Sequence, residues 1–573
     1  MKLKTTLAFR QKSTIVGALL AATLAGCGGG GGDPAPVADA TPVIDATPIP
    51  VRVFPADGAS DLNVACVNCS ADSPTRYAGA GVGVWSKKND GTSPVDMSVA
   101  IGGLSNNNVT VVLTNETAVD VTLPAIAMSS VLPSPRVAAA QMAPPEQSPE
   151  SSVEAFNRRG WKTHVAPIAT TAIPALPAMK VAMAVQAPIL PKVSSTKTFK
   201  HHDGTARGTT LMKQIIRADG AVIQVWVESS EVGASKVSTA LLDDTAATFV
   251  AAGGTYDMLK DIGGPLWGAH GIAELVPGAS QVFDVVLLNF VKDSKPFGEL
   301  GYFYALNTFK KTVIPASNES LSVYLDTETL YLGGDAGQQA VKMTLAHEGM
   351  HLGNFYRRAV KLGIDYQFDT WLDEMTAMMA EDALGNAVDP THNVIRDVRY
   401  PDYLRSQSYN CPLLVFTGFG RTCESYSVSG SFGGYLLRQM GLPFFKALLT
   451  QPVEGSEAAM QAAIRSVRPA SSLGQELRAF SVAAIAGIPA AKAPAGYGFP
   501  ARTDAAASEA AKPYVLPLID SRALIANRAL PATAPTTLSA YASFPVVHNA
   551  IYGNFVSTIR VPAGTTLSVV VSD

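Results

Sequence analysis

Charge is scarce in this sequence. Asp, Glu, Lys and Arg make up 16% of its 573 residues, and 44 basic against 47 acidic side chains leave a net charge of −3. No basic field exists to hold nucleic acid. Long apolar runs are scarce too. After residue 30 no stretch reaches the roughly 18 residues that a membrane-spanning helix requires. That excludes a polytopic membrane protein, although mean hydropathy is +0.17. Only five cysteines and eight histidines occur, so any pattern built from them is informative. What is abundant is apolar material, 47% of the chain, which supplies a buried core and excludes a highly charged disordered polymer. At about 150 residues per domain, the length corresponds to three to four domains.

The N-terminus reads as an address. Lys2, Lys4, Arg10 and Lys12 precede and flank an apolar run from Ile15 to Ala25, which ends in Leu24-Ala25-Gly26-Cys27. Small residues before a cysteine resemble a bacterial lipoprotein signal. That resemblance implies cleavage ahead of Cys27 and its acylation, palmitate included. With Gly28 rather than Asp next, it also implies placement in the outer membrane. The expectation is an exported protein lipid-anchored at Cys27 to the bacterial outer membrane or cell surface, since several acyl chains hold where one is marginal. Setting Cys27 aside leaves an even set in an oxidising compartment. By proximity it pairs as Cys66–Cys69 and Cys411–Cys423.

Composition divides the rest. Residues 28–56 form a Gly/Pro/Ala tether after the signal at 1–27. Short β-type runs with turn signals mark a small β-sandwich-like module at 57–127. Residues 128–204 read as a Pro/Ala-rich linker or pro-region. From 205 a β-rich stretch includes a hairpin around Ala218-Asp219-Gly220, the buried run Phe283–Phe290 and a strand at Leu321–Leu325. From Ala336 to about residue 490 the pattern is helical, and 491–573 returns to a linker and a C-terminal β module. The expected class is α+β.

The chemistry concentrates at His347-Glu348-Gly349-Met350-His351, an H-E-x-x-H pattern in a chain with only eight histidines. On a helix, positions i and i+4 share a face, so both imidazoles can reach one metal while Glu348 points at its open position. Asp335 is the expected N-cap. Catalytic zinc usually takes a third protein ligand. The second helix offers Glu374 and, about 100° around it, the competing Asp373. Glu381, two turns beyond Glu374, is the candidate support for a ligand histidine. Strand Leu321–Leu325 reads either as core or as an edge that pairs with extended substrate. His270 and His392 read as structural or surface residues, and His201-His202 as a surface pair.

The run Thr344 to Phe355 containing this motif is followed by Thr370-Trp371-Leu372-x-Glu374 and by Glu381-Asp382. Together they resemble the hyicolysin-type neutral zinc metallopeptidases, a branch of the gluzincins. The match is dense over some forty residues. The resemblance implies a two-lobed zincin catalytic domain at 205–490, with a β-rich N-lobe and a helical C-lobe between flanking β modules. It implies one zinc per chain, held by His347, His351 and Glu374, with Glu348 as general base. Tyr426, ahead of Gly430, resembles the tyrosine that gluzincins place after the third ligand to stabilise the oxyanion. Met375 and Met378 depart from the gluzincin pattern after that ligand. The implied function is a zinc endopeptidase acting on protein or peptide. The alternative is a surface adhesin or carbohydrate-binding lipoprotein with an inactive peptidase-like core.

Overall fold

Six strands form one mixed sheet in the order Gly301–Phe303, Leu321–Asp326, Val282–Leu288, Val222–Glu228, Ala206–Ile216 and Thr196–Lys200. This is a computed structural model, and it describes residues 59–125, 151–165, 190–278, 282–418 and 423–572. Val282–Leu288 runs parallel to both of its neighbours, and the remaining pairs are antiparallel. Burial on both faces explains its largely apolar sequence, and its one acidic residue, Asp284, is buried and accepts from Trp226 Nε1 and Ser320 Oγ. The turn at Ala218-Asp219-Gly220 joins an antiparallel pair, with Gly220 at φ 83°. Leu321–Asp326 is flanked on both sides, so it offers no free edge to a substrate. That possibility is corrected: the edge position belongs to Gly301–Phe303.

Helices cover this sheet. The site helix, Gly334–Asn354, begins at Gly333, so Asp335 lies in its first turn and is not the cap. There its charge still favours the positive helix terminus. Past Asn354 the helix widens into a π-helical stretch, Phe355–Val360, a form that recurs at functional sites. Gly363, at φ 125°, then reverses the chain into the carboxylate helix, Thr370–Val388.

A third helix, Ser425–Thr450, is kinked at Gly441 ahead of Pro443. Its glycines permit close packing on the carboxylate helix. A Cβ at Gly433 would lie 2.9 Å from Met379 Cγ and 3.0 Å from Met375 Cγ, and one at Gly430 only 2.8 Å from Met378 Sδ. The two methionines that depart from the gluzincin pattern therefore fill the space that these glycines leave.

The two flanking β modules are one. The 21-residue strand Val95–Asn115 pairs along its length with Ser543–Val561, and its second half also pairs with Thr565–Ser572. Gly83–Lys88 adds to the far side of Thr565–Ser572 within a seven-stranded sheet. Alternation along these strands gives the sheet two cores. Val111, Leu113, Val569 and Val571 fill the core of the β module, while Val112 and Val570 face the main helical core. Glu116 ties the module to helix Leu473–Ala486. Its buried carboxylate meets Arg478 at 3.2 Å and Lys88 at 3.4 Å.

The stretch expected to be a linker is also partly built into the fold. Helix Ser152–Arg158 and the 3-10 turn Gly160–His164 dock on the main body, and Trp161 is fully buried. Thr196–Lys200 is already a strand of the six-stranded sheet, ahead of the expected start at 205. Both disulfides are present, Cys66–Cys69 and Cys411–Cys423. The signal, Cys27 and the 28–56 tether lie outside the described residues. Among those described, no helix is long and apolar enough to cross a membrane.

Candidate metal centre

Helical spacing puts His347 and His351 one turn apart on the buried face of the site helix, with ring centroids 4.7 Å apart. The antiparallel carboxylate helix brings Glu374 opposite them. Its Oε2 lies 3.3 Å from His347 Nε2 and 3.8 Å from His351 Nε2. Among the described residues this is the group of three whose donor atoms converge, all within 4.8 Å of one another. Among the described residues, the two Nε2 atoms and both Glu374 oxygens are buried with no hydrogen-bond partner outside this cluster. Gly349, on the opposite face from the histidines, leaves space for helix Thr255–Gly263 to pack against the site helix: a Cβ there would come within 2.7 Å of Leu259. The space explains a residue that otherwise costs a helix about 1 kcal/mol.

The outer ring nitrogens are each held by a carboxylate. Glu381 Oε1 accepts from His347 Nδ1 at 2.5 Å, and Asp373 Oδ2 from His351 Nδ1 at 2.8 Å. A proton on Nδ1 leaves the Nε2 lone pair facing inward, the tautomer a metal ligand needs. Asn354 donates to Asp373 Oδ1 at 2.7 Å and to Thr376 Oγ1 at 2.8 Å, and Arg357 donates to Asn354 Oδ1 at 3.0 Å. Asp373, weighed from sequence as a rival ligand, stands behind a histidine instead. From sequence, Asn354 and Arg357 enter only as departures from the metzincin pattern, Asn354 also as part of the family motif, and neither carries a role there. Their only signal is i+3 spacing along the helix that carries His351.

Four carboxylates, three of them buried, surround two buried imidazoles, an excess of negative charge that calls for a cation. Burial disfavours the charged form of His347, but Glu374 and Glu381 outweigh it and push its pKa up to about 10. His351 moves the same way, burial being outweighed chiefly by Asp373. For Glu348 burial dominates and raises the carboxyl, while the two histidines oppose it. Both its oxygens are buried without a hydrogen-bond partner among the described residues. Two imidazoles and one carboxylate with inward atoms unengaged match a zinc centre that keeps one position open.

Tyr426 sits in the first turn of helix Ser425–Thr450, packed with Leu300, Met378 and Phe416 and with Arg399 5.3 Å from its ring centroid. Burial raises its hydroxyl well above the ordinary tyrosine value, and Glu374, Glu154 and Glu348 add to this. Met378, against which it packs, lies one turn past Glu374 on the carboxylate helix.

The other histidines lie elsewhere. His270 Nε2 lies 2.9 Å from the Val276 carbonyl, and His392 Nδ1 lies 3.3 Å from Asp397. Of His201 and His202, both expected at the surface, His201 is buried beside Tyr302 and His202 is half-buried beside Glu299.

A family model described as Peptidase M30 matches residues 203–572. The chain belongs to the peptidase M30 family. The M30 match runs through both the six-stranded sheet and the C-terminal strands of the β module. A second model, a domain of unknown function (DUF8571), covers residues 64–128. The neutral metalloprotease ShpI of Staphylococcus hyicus is 30% identical over 189 residues, 32% of this chain and 41% of that protein. The aligned part thus spans less than half the length of that relative. The chain also aligns with the crystal structure of an M1 zinc metallopeptidase from Deinococcus radiodurans. Identity there is 14% over 50% of this chain and 59% of that one, with a TM-score of 0.27, too low to carry an argument.

Proposed function

We propose that this M30 family member is a zinc endopeptidase whose single zinc is held by His347, His351 and Glu374. The observation that carries the reading is the convergence of three buried donors whose inward atoms bond to nothing else, beside a buried, unengaged Glu348. When bound, zinc acidifies a water and polarises the scissile carbonyl. Glu348 takes the proton from the attacking water and passes it to the leaving amine, general acid–base work typically worth about 10²–10⁴-fold. Tyr426 is the candidate donor to the developing oxyanion, since its hydroxyl stays protonated in this setting. Glu381 and Asp373 orient the imidazoles.

On this reading the six-stranded sheet and the helices beyond Gly334 are the two lobes of the catalytic domain. Signal cleavage and acylation at Cys27 anchor it after export, which accords with its two disulfides. An inactive core serving adhesion is not favoured, because it has no chemical need for an unengaged Glu348.

The test is metal analysis with a Glu348→Gln comparison on unfolded casein. About one zinc per chain is expected, with cleavage lost in the variant and zinc retained. Undiminished cleavage by Glu348→Gln refutes the mechanism, and absence of zinc refutes the enzyme reading.

A further inference from the structure

Every residue the proposed reaction needs is closed off from solvent. His347, Glu348 and Glu374 are 0% exposed, and His351 and Tyr426 only 2%. An endopeptidase has to admit an extended chain, so some of this cover must move. The segment 151–165 places Asn157 at a small cavity shared with His351 and Asp373, and it comes from outside the M30 match, between Pro/Ala-rich stretches 126–150 and 166–189.

Its helix Ser152–Arg158 is locally stable through a capping box between Ser151 and Glu154. From that helix Asn157 reaches the end of the edge strand Gly301–Phe303. Asn157 Nδ2 donates to the Phe303 carbonyl at 2.8 Å, and the Ala305 N–H donates to Asn157 Oδ1 at 2.7 Å. A single side-chain amide thus takes the last carbonyl of the edge strand and the N–H that opens the 3-10 turn Ala305–Thr308 just past it, so a peptide adding along this edge would have to displace Asn157 at the Phe303 carbonyl. Phe156 sits edge-on to Tyr304 at 5.6 Å, the residue between them.

The segment also reaches the metal centre. Gln367, just ahead of the carboxylate helix, donates to the Asn157 carbonyl at 2.5 Å and accepts from Trp161 Nε1 at 2.9 Å. Trp161 packs edge-on against Phe355, four residues past His351, at 5.2 Å. Asn157 and Gln367 line one small cavity together with His351 and Asp373. Val153 and Trp161 are its buried residues, and Phe156 and His164 pack on Phe309 at 6.0 and 5.9 Å, while Arg158, Arg159, Thr163 and His164 are exposed.

We propose that residues 151–165 are a latch in cis, held by Asn157 on Phe303 and Ala305, which occupies the peptide-docking edge and closes the metal centre until it is displaced. This rests on the peptidase reading of that centre. A competitor for the edge follows mass action: a chain whose open form is rare binds peptide more weakly by that same fraction.

The test uses the full chain carrying Glu348→Gln, titrated with an unfolded casein peptide, with and without Asn157→Ala. Loss of two hydrogen bonds from the closed form should tighten peptide binding by about fivefold or more. Asn157→Asp is the second variant. It keeps the acceptor for Ala305 but sets a carboxylate oxygen against the Phe303 carbonyl, and it should open the latch as well. Tighter binding in either variant supports the latch. Equal or weaker binding in both, including no binding by any chain, overturns it. A segment with only a structural role would lower the melting temperature of the variants without raising affinity. Because the readout is binding to a chain compared at fixed Glu348→Gln, it stands apart from zinc content and casein cleavage, which decide the peptidase reading.

Discussion

Asp373 Oδ2 lies 2.8 Å from His351 Nδ1, while its neighbour in sequence, Glu374, faces the other nitrogen of the same ring. Adjacent helical residues point about 100° apart, and here that rotation separates two tasks. Glu374 completes the cluster of donors. Asp373 grips the outer edge of a histidine and is itself held by Asn354, which Arg357 steadies.

That division of tasks predicts different metal affinities for neighbouring variants. Glu374→Ala should abolish stoichiometric zinc binding. Asp373→Ala should retain zinc but weaken it by about 10–100-fold, as expected for loss of a partner behind a ligand. Chelator competition measures both. The reverse order would exchange the two roles.

Zinc uptake should release protons. In the metal-free chain Glu374 and Glu381 hold the His347 proton up to a pKa of about 10. Because that value lies above the unfolded one, the interaction adds stability below pH 6.5 that is lost as pH rises through about 10. At pH 8 the ring is therefore charged, and a metal must displace that proton. Titrating zinc into weakly buffered metal-free protein at pH 8 should release at least one proton per zinc, and none in the His347→Ala chain. No release from the unaltered chain contradicts the electrostatic account.

The contact between the carboxylate helix and helix Ser425–Thr450 should tolerate no added bulk. Gly433→Ala places a methyl group about where Met375 and Met379 already sit. Overpacking of this kind typically destabilises by about 1–3 kcal/mol. Denaturant unfolding should show that loss, with part of it recovered by adding Met379→Ala.

The β module should not survive loss of the C-terminus. Removing residues 543–572 takes away both long partners of Val95–Asn115 and opens the core that holds Val111 and Leu113. The truncated chain should become protease-sensitive between residues 59 and 125. Continued resistance there would show an N-terminal module able to fold alone.

Glu116→Ala should loosen the same module from the helical body. The side chain of Glu116 is 1% exposed and engages Arg478 and Lys88, whose own side chains are 19% and 38% exposed. Breaking a buried pair costs about 3–5 kcal/mol. Partial exposure of both cations places the expected loss near or below the lower end, measured by thermal unfolding.

What the sequence determined by itself is local. The four-residue interval of His347 and His351 puts both rings on one face, because a helix repeats every 3.6 residues. Glu348 sits beside them for the same reason. Cysteines 3 and 12 positions apart close onto each other with little loop to order. The helix-rich half and most of the six-stranded sheet were likewise legible, from periodicity and turn residues. Tertiary structure alone decided whatever depends on facing or on distant pairing. Periodicity shows that Asp373 and Glu374 diverge, but not which of them faces the histidines until the two helices are packed. Strand Leu321–Asp326 becomes an interior strand only once Gly301–Phe303 lies beside it. The union of Val95–Asn115 with Ser543–Val561 leaves no local trace, since its ladder links residues more than 400 positions apart. Nor does a short capped helix at Ser152–Arg158 reveal, within a Pro/Ala-rich stretch, that its asparagine reaches the edge strand beside the metal centre. Spacing along the chain fixes which side chains share an element, whereas only packing fixes what that element meets.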